Sequence, residues 1–237
     1  MSPTGRASER RSRFAIGVPL DFGVTGPTPA ADPYFRSIFR SILPNPSSAP
    51  FFRSPSRRRR EAVIPSRDVA VFRPEDCNRL DFEILAESGV ALYYQYEVLG
   101  EDLAWFALER YEVIQFDEEA LDTLDGFHFE ARLKLGFPED YQPSFDDLRE
   151  ALSEMRVPVE GGTALVLPGA HRLAQDDQAG FANLLGVMAD LSHEFMLTGQ
   201  RFLTLVQSDD GELDVGTVGS RRVLWNPRER MAWTRGL

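Results

Sequence analysis

The sequence predicts an α/β fold, a parallel sheet covered by helices. Three features lead there: short apolar runs unbroken by polar residues, stretches of helical period between them, and glycine or proline at the joins. Continuous apolar strands are buried on both faces, and only flanking helices can supply that cover. From Gly89 the order is legible. Val90-Ala91-Leu92-Tyr93-Tyr94 is a strand, and Leu99, Leu103, Phe106 and Ala107 mark a helix. Tyr111-Glu112-Val113-Ile114-Gln115-Phe116 is the next strand, so strand, helix and strand form a parallel crossover unit. Upstream, Val63-Ile64, Val69-Ala70-Val71-Phe72 and Phe82-Glu83-Ile84-Leu85 are expected to add edge strands or a short helix.

Downstream, Phe127, Ala131 and Leu135 recur every four residues on a helix that stops at Gly136, ahead of Pro138. Ser144 is placed as an N-cap with Asp147 three residues on, and Phe145, Leu148, Leu152 and Met155 form the buried stripe behind it. Gly161-Gly162 breaks the chain before the strand Thr163-Ala164-Leu165-Val166-Leu167. A long amphipathic helix runs from about Gln178 to Leu197, burying Phe181, Leu184, Leu185, Met188, Leu191 and Phe195. It ends near Gly199, and Arg201-Phe202-Leu203-Thr204-Leu205-Val206 is the last strand.

At 237 residues, 43% hydrophobic, the chain can bury one substantial core with appendages. The formal net charge is -11, which disfavours nucleic acid and anionic membrane as partners of the folded body and favours a basic protein. The charge is unevenly spread. Residues 1–60 hold eleven arginines against Glu9, Asp21 and Asp32, a formal +8, together with nine of the sixteen prolines; residues 61–237 therefore carry -19. The first segment is read as a disordered basic arm. Arg10-Arg11 before Phe14-Ala15-Ile16 resembles a twin-arginine export signal, but Pro19 and Asp21 interrupt the apolar stretch such a signal needs. The single cysteine, Cys77, excludes an internal disulfide and any multi-cysteine metal centre, and suits a reducing, cytoplasmic setting. No run of eighteen apolar residues predicts a transmembrane helix. The organisation expected is a basic arm over 1–60, a strand-helix lead-in extending the sheet over 61–110, a central domain over 111–208, and a Trp/Arg-containing extension over 209–237. In that extension Trp225 and Trp233 are read as packing anchors.

The candidate chemistry lies in carboxylates. Asp146 and Glu150 are four apart on one helix and Asp190 and Glu194 four apart on another, both pairs off the apolar stripe. Like charges at this spacing cost a few tenths of a kcal/mol in an isolated helix, so stability does not select them. A solvated surface, a metal or glycosidase-like site and a docking surface for a basic protein all place acids this way. No paired-histidine or Glu-x-x-His arrangement and no phosphate-cradling glycine loop accompanies them, and no cofactor is expected. His128, between Phe127 and Phe129, reads as a core or capping residue, His171 as a loop residue, and His193 as a neighbour able to tune Glu194 near neutral pH. No serine or cysteine stands in a nucleophile-elbow setting, so no enzyme is expected.

Phe127-His128, then Leu135-Gly136-Phe137-Pro138-Glu139-Asp140-Tyr141, then Phe145-Asp146-Asp147-Leu148-Arg149-Glu150-Ala151-Leu152 resembles the signature of the barstar family of barnase-type ribonuclease inhibitors. The element order from Tyr111 to Val206 is similar to that family's small three-stranded parallel sheet flanked by helices. The resemblance implies that Asp146, Glu150, Asp190 and Glu194, with Tyr141, Asp140 and Arg149 beside them, form the surface that binds a basic ribonuclease. It implies inhibition by substrate mimicry, as in an immunity protein of a toxin–antitoxin pair. Four positions depart from the pattern: Asp140 replaces an aromatic before the tyrosine, Gln142 the turn glycine, Ser144 an asparagine, and Arg149 an aromatic contact residue. Two aromatic anchors are lost and a positive charge enters a face meant for a basic partner. The alternative is a barstar-like adaptor that no longer inhibits a ribonuclease and acts through its flanking segments.

Overall fold

The computed structural model describes residues 72–237. The basic arm, Val63-Ile64 and Val69-Ala70-Val71 lie outside the described residues. Phe72 packs edge-on against Phe82 with ring centroids 5.2 Å apart, under the Arg201 guanidinium.

Phe82–Leu85 resolves as helix: α1 spans Leu80–Glu87 and ends at Gly89, whose φ of +76° only glycine adopts without strain. The α1 residue Asp81 is fully buried, and its carboxylate accepts two hydrogen bonds of 3.0 Å from Arg79 and one of 2.7 Å from the Tyr111 hydroxyl. A buried charge so surrounded fixes α1 to the start of the next strands rather than leaving it free to slide.

Then follow β1 (Val90–Tyr93), α2 (Tyr96–Leu108), β2 (Tyr111–Gln115), α3 (Leu124–Leu135), α4 (Phe145–Ser153), β3 (Gly162–Leu167), α5 (His171–Asp176), α6 (Gln178–Leu197) and β4 (Phe202–Gln207). His171 therefore opens a short helix rather than lying in a loop. The strands form one parallel sheet in the order β2-β3-β4-β1, with a fifth strand, β7 (Leu224–Trp225), beyond β1. The three strands expected for the central domain are β2, β3 and β4, and the lead-in strand β1 extends them. The β1–α2–β2 crossover thus spans the sheet, because β3 and β4 lie between its strands.

Both faces are covered. Leu92, Leu165, Leu167, Phe202 and Val206 face one core with Phe127, Leu148, Leu152, Leu184 and Met188 of α3, α4 and α6. Ala91, Tyr93, Ala164, Val166, Leu203 and Leu205 face a second core with Ile84, Leu99, Leu103 and Phe106 of α1 and α2. Alternate residues of the inner strands serve opposite cores, which is why β1, β3 and β4 are mostly apolar, whereas β2 at the sheet edge exposes Glu112.

The C-terminal extension is part of this unit. Its hairpin of β5 (Thr217–Val218) and β6 (Arg221–Arg222) turns at Gly219 and Ser220, both at positive φ, as a two-residue type I′ turn requires. After β7 a polar lock closes the chain onto α2. Asp102, buried on the apolar side of α2, accepts hydrogen bonds from the Tyr93 hydroxyl (2.9 Å), from Asn226 Nδ2 (2.6 Å) and from Arg228. Glu229, fully buried, accepts the Tyr94 and Gln95 N–H groups (3.0 and 2.8 Å) and so caps the start of α2. Burial raises both carboxyls above their usual range, against the pull of Arg228 on Asp102 and of the two N–H groups on Glu229. Trp225 packs on the core under the Arg235 guanidinium, whereas Trp233 is 76% exposed and is not part of the core of the described residues. No helix of the described residues is long and apolar enough to cross a membrane.

Candidate partner-binding site

The site is built on α4 and α6, which pack side by side over the first core. Ser144 starts α4: its Oγ accepts the Asp147 N–H at 3.1 Å. Asp147 does not complete a reciprocal capping box. Its carboxylate instead accepts the Gln142 N–H at 2.9 Å and the Ser144 hydroxyl at 3.1 Å, stapling the 138–144 turn to the helix. With Leu148 and Leu152 fully buried, the 3.6-residue period turns Asp146 and Glu150 to solvent, where both are exposed. Among the described residues neither forms an ion pair.

Asp177 caps α6 by accepting the Gly180 N–H at 2.8 Å. Burial of Leu184, Met188, Leu191 and Phe195 then leaves Asp190 and Glu194 half exposed along the seam with α4. Arg149 of α4 crosses that seam. Its Nη1 lies 3.4 Å from an Asp190 oxygen and its Nη2 donates to Glu194. The two acid pairs are therefore unlike: among the described residues one has no ion-pair partner, and the other is already bound by a guanidinium of the same chain. The hairpin turn borders the bound pair, since a Cβ added at Gly219 would stand 3.0 Å from Asp190 Oδ1, and Arg221 Nη1 donates to the Ala189 carbonyl at 3.3 Å.

Asp140 is exposed in the turn before α4. Tyr141 lies beneath the face rather than on it, because its ring packs 4.9 Å from Phe137 and its hydroxyl bonds His128 Nδ1. Burial holds the His128 imidazole below its ordinary value, with Asp125 pulling the other way, and pushes the Tyr141 hydroxyl up to about 12. Imidazole and phenol are thus held neutral and in contact, so this histidine is a supporting core residue. His193, half exposed, sits beside Glu194 in sequence.

Elsewhere no group of three or more His, Cys, Asp or Glu is placed to hold a metal among the described residues. The larger surface depression, between α1, α2 and the extension, is lined by Arg79, Trp105, Glu109, Asp102 and Arg228. Its arginines are already engaged: Arg79 with Glu109 at 2.7 Å, and Arg228 with Glu101 and Asp102. These charges hold the extensions in place.

Sequence reasoning isolated both acid pairs but missed the Arg149 bridge and the lock on Asp102. The bridge is an interhelical contact that spacing within one helix cannot reveal. The lock had a signal, since Asp102 lies three residues after Leu99 and four before Phe106, in the apolar stripe, where a carboxylate requires a partner.

No curated protein matches the chain. A family model does: that of Barstar (barnase inhibitor), over residues 111–207. The matched span runs from the first residue of β2 to the last of β4 and contains α4, α6 and all four carboxylates, so the central part of this chain is a barstar-family domain, enlarged by a strand and two helices before it and by a hairpin and one further sheet strand after it.

Proposed function

We propose that this protein binds a small basic ribonuclease through the α4–α6 face and inhibits it, as an immunity partner would within a toxin–antitoxin pair in the cytoplasm. The observation that carries the reading is the coincidence of the family match with two exposed carboxylates, Asp146 and Glu150, side by side on α4 and without an ion pair among the described residues. A ribonuclease active site gathers arginine, lysine and histidine to hold phosphates. Carboxylates presented on a rigid helix satisfy those cations, exclude RNA by occupancy and need no chemistry of their own. The high negative charge of the chain steers encounter with such a partner.

A second reading is favoured by one observation. Arg149 and the hairpin turn engage the α6 half of the face from within, as an adaptor that acts through its flanking segments would tolerate.

The two are separated by titrating the full chain, and its Asp146→Ala/Glu150→Ala variant, into assays of a barnase-type ribonuclease and of any small basic nuclease encoded beside the gene, at low and high salt. The inhibitor reading expects stoichiometric, salt-sensitive inhibition that the variant weakens by at least about 2 kcal/mol, roughly thirtyfold. No inhibition of either enzyme would make the adaptor reading the better one.

A further inference from the structure

Resting on the reading of α4–α6 as the partner surface, we infer that Arg149 is its specificity-determining residue: by clamping Asp190 and Glu194 it closes the α6 half of the face to cations and confines the partner to the α4 half. The guanidinium lies where an incoming cation would have to sit. Its planar fork lets Nη1 and Nη2 serve two different carboxylates at once, which a lysine ammonium on a single point cannot reproduce. The arginine side chain is 41% exposed and the two acids 47% and 49%, so the cluster is open to a partner yet internally satisfied. The hairpin strengthens the closure, with Gly219 against Asp190 and Arg221 held to α6 through the Ala189 carbonyl. On α4, by contrast, Asp146 and Glu150 are exposed without an ion pair among the described residues, and Asp140 stands exposed in the turn leading to them.

A partner therefore meets two exposed carboxylates beside a guanidinium, not four equivalent carboxylates. The chemistry that fits has two basic groups aligned along α4 and a neutral or acidic group opposite Arg149. A nuclease whose cations converge on all four acids meets a like charge in the middle of its footprint and is rejected.

Two measurements on the full chain test this without knowledge of the nuclease. In 15N spectra the Nη signals of Arg149 should be individually resolved, because a clamped guanidinium rotates slowly, while those of exposed Arg156 are averaged; averaging of both would overturn the clamp. In binding to a hexa-arginine peptide at low salt, Arg149→Ala should gain about tenfold in affinity and Arg156→Ala less than about threefold, since only the former uncovers carboxylates at contact range. Equal gains would show net charge alone at work and overturn the inference. A wild-type chain that inhibits no ribonuclease would sink the proposed function, and the spectra and the peptide would still decide the clamp.

Discussion

The His128–Tyr141 pair links stability to pH at a single contact beneath the candidate face. Its imidazole is packed among Phe127, Tyr141 and Phe145, and burial keeps it neutral to lower pH than in the unfolded chain. An imidazole whose folded value lies below its unfolded one contributes stability that is present above about pH 6.5 and lost as pH falls toward the folded value. Asp102 and Glu229 act in the opposite sense: raised by burial, they favour the folded state more as pH falls through their folded values. The two slopes overlap in the acid range, so the comparison of wild type with His128→Phe is the decisive one. Chemical denaturation from pH 8 to 5 should show the wild type losing stability on acidification relative to the variant; parallel curves would assign the titration elsewhere. Backbone geometry makes a second residue-level prediction. Gly161 has φ of +84°, and a Cβ there would collide with the backbone carbonyl of Arg110, itself at φ +64°. Gly161→Ala should cost about 2 kcal/mol or more, read as a shifted denaturation midpoint. A cost below about 0.5 kcal/mol would mean that the loop relaxes freely.

Among the elements, the extension after β4 does the most that the sequence could not announce. β7 pairs with β1 through Ala91↔Leu224 and Leu92↔Trp225, and the residues after it satisfy Asp102 and cap α2. Truncation after Gln207 would leave Asp102 buried without Asn226 or Arg228 and β1 as an open edge. We expect a loss of about 3–5 kcal/mol, with Asn226→Ala alone costing about 2, both measured by urea denaturation. A truncated chain within about 1 kcal/mol of wild type would show that the extension is an accessory. Long periodic elements were legible: α6 runs from Gln178 to Leu197, the bounds its apolar stripe and the stop near Gly199 predict. Two-residue strands such as β7 have no period to read, and their partner lies more than 130 residues away in sequence. α1 was ambiguous because Phe82, Ile84 and Leu85 fit either a helix or a strand, and α5 is too short to show a stripe. The acid pairs were legible for the same reason as α6, but their inequality was not, because Arg149 acts between helices rather than along one.

At the scale of the whole molecule, charge is divided between a formally +8 segment at residues 1–60 and a remainder at -19. For a basic partner these act in opposition. The acidic remainder attracts, and eleven arginines on the same chain offset part of that attraction at distances where the field, not contact, governs encounter. Removing residues 1–60 should therefore speed association with a basic ribonuclease several-fold at about 20 mM salt, and the advantage should vanish near 0.5 M as the Debye length falls to a few ångströms. The dissociation rate should stay within about twofold, because the α4 carboxylates make the contacts and lie outside the deleted segment. Stopped-flow mixing of the full and shortened chains with the same nuclease across a salt series separates the two rates. Slower association of the shortened chain would reverse the assignment: the arginines would then be reaching an acidic patch of the nuclease, or its bound RNA, and would belong to the recognition surface rather than oppose it.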